Sequence, residues 1–215
     1  MLKYIISICL FSTVLSFSLL TKGHDWGDDF SAYIMQAKSV VEGTKEEFIE
    51  RNRFTIENSS SVLGPTMYPW GFPILIAPVY YFFGLNIVAF KYVNLAFFQL
   101  FLISIFYLFK NHISLIDRFI LVLLFAFSPI FLTFHDSISS DIPFLFFSTL
   151  SVLLIGKLIV YDEKLPYLNL TGGWILLGVT IFISFLIRTN GILLIPTMLV
   201  CQLVRWFKIN KNDLT

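Results

Sequence analysis

Three aspartates fall within five positions of HDWGDDFSAY, His24 to Tyr33, and a second acidic stretch, HDSISSD, runs from His135 to Asp141. A carboxylate within reach of a hydroxyl or amine acts as a general base, and a guanidinium neutralises phosphate oxygens through paired hydrogen bonds. Arg188 opens RTNG, Arg188 to Gly191, a polar interruption in an otherwise apolar block. Carboxylates plus one arginine suit transfer from a phosphate-linked donor: one group takes the acceptor's proton while the other steadies the departing phosphate. Asp28 and Asp29 are adjacent, so their charges repel and one titrates above the other. His24, Asp25, Asp28, Asp29, His135 and Asp136 also have the ligand types of a divalent metal site. No HxxxH or DxD spacing joins them, so no metal and no other cofactor is expected, and the histidines read as interfacial polar residues.

These residues must be held by membrane elements. The chain has 215 residues, 57% of them hydrophobic and 13% charged, with a net charge of +1, against roughly 25% charged residues in a soluble domain. That composition describes an integral membrane protein and gives no reason to expect a nucleic-acid partner. The two cysteines, Cys9 and Cys201, are far apart in apolar runs, which excludes a disulfide framework.

A hydrocarbon core takes about 20 apolar residues per helix. Such runs cover Leu2 to Leu20, Lys91 to Phe109, Phe119 to Phe134 and Ile142 to Val160. The block from Gly172 to Phe207 is too long for one span and reads as two short helices separated by the RTNG turn. The expected fold is therefore all-α, a polytopic protein of about six transmembrane helices. The N-terminal run is read as a retained helix because no small-x-small cleavage site precedes a soluble domain.

Between the first two spans lies a long loop, about 22–90, expected to carry juxtamembrane helices. Ala32 to Val41 has apolar residues at helical spacing with a stop at Glu42-Gly43, and Lys45 to Arg53 mixes charge signs as a solvated helical face does. In YPWGFPILIAPVYYFFG, Tyr68 to Gly84, prolines punctuate an apolar stretch, which predicts a re-entrant or interfacial segment and an apolar groove for a lipid tail. Trp70 serves there as a boundary anchor that also contacts such a lipid. Lys3, Lys110, Arg118, Lys157, Lys164, Arg205, Lys208 and Lys211 all flank ends on one side, so the N-terminus and the tail 208–215 are placed in the cytoplasm. The loops 22–90 and 135–141 then face outward, with Arg188 beside them.

The order of these elements resembles the front of the GT-C-fold glycosyltransferases, in particular the dolichyl-phosphate-mannose protein mannosyltransferase-like group that includes aminoarabinose transferases. DDFSAYIMQAKSVVEG is similar to that family's first outer loop, YPWGFPILIAPVYYFFG to its proline-punctuated approach to the second span, and FKYVNLAFFQLFLISIFYLF to the span that follows. SSDIPFLFFSTLSVLL resembles its second acidic loop and SFLIRTNGILLIPTMLV its Arg-x-x-Gly element. The resemblance implies a cell-envelope enzyme of the cytoplasmic or inner membrane. It would move a sugar from a polyprenyl-phosphate donor to a lipid, glycan or protein acceptor at the outer face, with inversion.

Carried over, the catalytic base falls on Asp29, four residues before Tyr33, with Asp28 as the alternative. Asp141 corresponds to the second-loop acid that orients acceptor or donor, and Arg188 and Lys91 lie near the donor phosphate. Residues 1–207 match the front module only, which leaves three readings: a truncated gene, a fragment, or a minimal member whose C-terminal half a partner subunit supplies. The alternative is an inactive truncated module that binds lipid or scaffolds a partner.

Overall fold

In a computed structural model, residues 2–25, 30–58, 68–163, 165 and 169–212 are described. Among them the regular elements are helices, with no strand. Helix α1 (Leu2–Leu19) is followed by the amphipathic α2 (Phe30–Glu42) and the short α3 (Lys45–Arg51) and α4 (Arg53–Glu57). Then come α5 (Gly71–Phe83), α6 (Ile87–Leu108), α7 (Leu115–Ala126), α8 (Pro129–His135) and α9 (Asp141–Ile155). Helix α9 runs on through a π turn, Gly156–Val160, and α10 (Leu170–Ile187) and α11 (Leu194–Asn212) flank a 3-10 turn, Thr189–Leu193.

Four of these helices are long and apolar enough to cross a membrane, or five if α7 and α8 form one span, bent by 54° between Ala126 and Pro129. The expectation from sequence is about six. Helix α1 is also apolar, and its stretch from Lys3 to Leu19 falls just short of the length of those four. The expected unbroken run from Phe119 to Phe134 is broken before Pro129, whose ring excludes the preceding helical turn while suiting the first position of a new helix.

Contacts give the direction of each helix. The start of α1 meets the start of α7 through Tyr4 and Phe119, while its last turn meets the end of α8 through Ser16 and His135. Helix α9 starts beside the end of α10, at Asp141 and Arg188, and its π turn meets the end of α11 through Arg205. Thus α1, α7/α8 and α10 run towards one pole, which contains Lys91, and α6, α9 and α11 run away from it. The core between them is packed by phenylalanines, among them Phe98, Phe101 and Phe106.

Helix α5 does not fit that alternation. It starts against Leu186 near the end of α10 and is followed by α6, which starts at the same pole. Its 13 residues reach only about 20 Å, short of a hydrocarbon core of roughly 30 Å. Tyr33 packs on Phe72, and Tyr80 donates to Glu42 at 2.6 Å, so α5 lies parallel to α2 along its length. Pro78 sits inside α5 without ending it. Gly71 explains how close α5 comes to α10: a Cβ there would stand 2.4 Å from the Leu186 carbonyl carbon.

The amphipathic reading of 32–41 is matched by α2, which turns its Tyr33, Ile34 and Ala37 face into a cluster with Phe72, Ile76 and Phe90. It stops at Gly43, whose φ of +71° suits a residue without a Cβ. The charged face of α3 carries ion pairs from Arg51 to Glu47 and from Arg53 to Glu50, all largely solvent-exposed.

Candidate functional site

The loop 136–140 joins α8 to α9 at the Lys91 pole and is held at both ends by a cation–carboxylate pair. At its start, the Lys91 ammonium, fully buried, donates to Asp136 Oδ1 at 2.6 Å. It also reaches the Gly23 carbonyl at 2.6 Å, the Thr21 carbonyl at 3.0 Å and Thr21 Oγ1 at 3.2 Å. Asp136 in turn accepts from the Thr21 N–H at 2.8 Å and hydroxyl at 2.7 Å. Burial raises the Asp136 carboxyl, but the bonds from Lys91 and Thr21 outweigh that and hold it below the ordinary carboxylate value.

At the loop's other end, Arg188 Nη1 donates to Asp141 at 2.5 Å and to Ser140 Oγ at 3.3 Å, and Ser140 shares a 3.2 Å bond with the Tyr33 hydroxyl. Arg188 is placed by backbone geometry: it ends α10 in an extended conformation, and Gly191 folds the 3-10 turn back on α10. A Cβ on Gly191 would stand 2.4 Å from the Phe185 amide nitrogen. With side chains 38% and 45% exposed, Arg188 and Asp141 both stay open to a ligand.

His24 bridges the segment after α1 to the same loop. Its Nε2 accepts from the Ile138 N–H at 2.7 Å, so Nδ1 carries the proton and donates to the Asp25 carbonyl at 2.6 Å. Partial burial lowers its pKa, against the raising effect of the Asp25 carbonyl and with help from nearby Lys91. With both nitrogens occupied His24 has no lone pair for a metal, and among the described residues no group of His, Cys, Asp and Glu is arranged to hold one. His135, read from sequence as interfacial, is instead buried in the bundle against Phe98, with Nδ1 2.6 Å from Ser16 Oγ.

Two of the open volumes among the described residues border this network. A cleft of about 570 Å³ is lined by His24, Asp25, Phe30, Thr133 and Asp136. A larger groove of about 730 Å³ lies between α5 and α6, walled by Leu75, Val79, Phe83, Val93 and Phe97, with Lys22 among its lining residues. No protein-family model, curated protein or solved structure matches this chain.

Of the residues singled out from sequence, the structure brings Asp141, Arg188 and Tyr33 together around Ser140. Lys91 lies in the neighbouring network, but its donors are taken by protein oxygens, which makes it an anchor of the segment around Thr21 and Gly23. Trp70 faces α3, under the Lys45 ammonium at 4.6 Å and beside Phe48. Asp28 and Asp29 lie outside the described residues. Sequence reasoning passed over Lys22, whose signal was its position directly after the first apolar run, at the exit from α1.

Proposed function

We propose that the protein is a membrane glycosyltransferase that moves a sugar from a polyprenyl-phosphate donor to an acceptor at the Lys91 pole, taken as the outer face. The observation that carries this reading is the groove between α5 and α6, walled mostly by apolar side chains with Lys22 and Asn86 also in its lining. That pairing suits an isoprenoid tail ending in a phosphate. Lys91 holds the carbonyls on both sides of Lys22, those of Thr21 and Gly23, and so fixes where Lys22 emerges. Arg188, oriented by Asp141, retains guanidinium donors for the phosphate or for the sugar.

In the proposed reaction the acceptor hydroxyl oxygen attacks the anomeric carbon and its proton passes to Asp29. The carbon–oxygen bond to phosphate breaks, and its electron pair leaves with polyprenyl phosphate. One displacement with no covalent intermediate inverts the anomeric centre. The base assignment rests on the resemblance of DDFSAY to the GT-C first outer loop.

The test is transfer of label from a panel of radiolabelled polyprenyl-phosphate sugars in membranes containing the chain, with Lys22→Gln and Asp29→Asn beside wild type. Transfer by wild type, a raised donor KM in Lys22→Gln and loss of turnover in Asp29→Asn are expected. Transfer unchanged in both variants overturns the assignment. Donor retained by the groove without turnover in any protein turns the reading to a lipid-binding subunit, which the same groove also favours.

A further inference from the structure

A separate cavity of about 360 Å³ lies at the opposite pole, between the end of α6, the π turn and α11. Its walls include Tyr107, Leu153 and Val160, while Lys110 and Lys157 also line it. Among the described residues no carboxylate forms an ion pair with either lysine. The carboxylate in the lining, Glu163, accepts a bond from Asn111 at 3.3 Å. His112 and the Tyr161 hydroxyl share a bond of 2.9 Å across the same rim.

Val152 and Val160 are 38% and 50% exposed, so the apolar wall of the cavity continues onto the outer surface of a helix long and apolar enough to cross a membrane. The π turn is a rare helical form that recurs at functional positions, and here it is held from outside: Arg205 donates to the Leu158 and Ile159 carbonyls and pairs with Asp162 at 3.0 Å. An apolar slot at the end of the helices, lined by two lysines that form no ion pair among the described residues, matches the two-part chemistry of an anionic phospholipid.

We infer that this cavity binds an anionic membrane phospholipid, with its phosphate between Lys110 and Lys157 and the upper acyl chain against Leu153 and Val160. Inorganic phosphate alone would leave the apolar wall unused. The site is independent of the transferase reading, since it shares no residue with the groove beside Lys22.

The experiment measures retention of radiolabelled phosphatidylglycerol and phosphatidylcholine by the full chain in detergent micelles. Wild type is compared with the double variant Lys110→Gln/Lys157→Gln and with Lys3→Gln as a charge control outside the cavity. Wild type and Lys3→Gln should prefer phosphatidylglycerol, and the double variant should bind it about tenfold to thirtyfold more weakly, with a smaller loss for phosphatidylcholine, whose choline cation offsets its phosphate. Val152→Trp, which fills the slot from the membrane side without altering charge, should also lose the preference, so the inference survives a double variant that fails to fold. Equal binding of the two lipids by wild type, or an undiminished preference in the folded variants, overturns it.

Discussion

Lys91 is the residue on which the polar pole turns. An ammonium with no exposed surface is tolerated because protein oxygens surround it, and removing one partner of a desolvated pair leaves the other uncompensated. Lys91→Met is expected to destabilise the fold by up to about 3 kcal/mol. In a double-mutant cycle with Asp136→Asn, the coupling should be about 0.5–3 kcal/mol, read from denaturation in detergent. Additive losses would mean that the two side chains do not support each other.

His24 makes a second prediction at this scale. Its folded pKa lies below the ordinary 6.5, so below that pH the unfolded imidazole takes up a proton before the folded one does. Stability contributed by the neutral ring is complete above 6.5 and is lost as pH falls through the lowered value. Asp136 has the same sign in a lower window: its contribution holds above the ordinary 3.8 and fades as pH falls through its depressed value. Protonation of His24 removes the acceptor of the Ile138 N–H, so hydrogen exchange corrected for intrinsic rate should quicken across 136–141 as pH is lowered from 7 through the point, below 6.5, at which the folded His24 ring is seen by NMR to take up its proton. Protection that stays equal on the two sides of that titration would show that the His24–Ile138 bond does not hold the loop.

At the scale of elements, the site depends on two close backbone approaches. Gly71 sets α5 against the end of α10, and Gly191 folds the 3-10 turn back on α10. A methyl at either position meets backbone, which cannot rotate aside as a side chain does. Gly71→Ala and Gly191→Ala should each cost about 1–3 kcal/mol, seen as a lower midpoint of thermal unfolding. Gly178→Ala, where nothing lies within 4 Å of the added carbon, serves as the control and should be neutral or slightly stabilising. The helices tolerate breaks differently: Pro129 begins a new helix after a bend, whereas Pro78 is carried inside α5, which packs on α2 and α10.

At the scale of the whole molecule, the alternating helix directions put Lys22, Lys91, Asp136, Asp141 and Arg188 at one pole and Lys110, His112, Tyr161 and Arg205 at the other. The basic residues flanking the second group predict that it faces the cytoplasm. In a chain with Cys9 and Cys201 replaced by serine, Lys22→Cys should react with a membrane-impermeant maleimide applied to intact cells. Asn111→Cys should react only after permeabilisation. The reverse pattern would invert the orientation and place the proposed transfer on the cytoplasmic side.

The sequence by itself determined the class of the molecule and most of its helices, because hydrophobic runs, loop polarity and glycine stops are local signals. The amphipathic α2, the shortness of α5 and the break at RTNG were all legible in spacing and residue type. Asp141 and Arg188 share one pole, as the alternation of spans predicts once Tyr68 to Gly84 is read as non-spanning, while Asp28 and Asp29 lie outside the described residues. Tertiary structure decided what those residues do to one another. That Asp141 meets Arg188, that Lys91 is consumed by Asp136 and the carbonyls around Lys22, and that His135 is buried beside Ser16 all depend on packing between distant segments. Hydropathy records how much an element prefers lipid and not which neighbour it meets. Pairing is set by crossing geometry and by close approaches such as those at Gly71 and Gly191, which exist only once the helices are assembled.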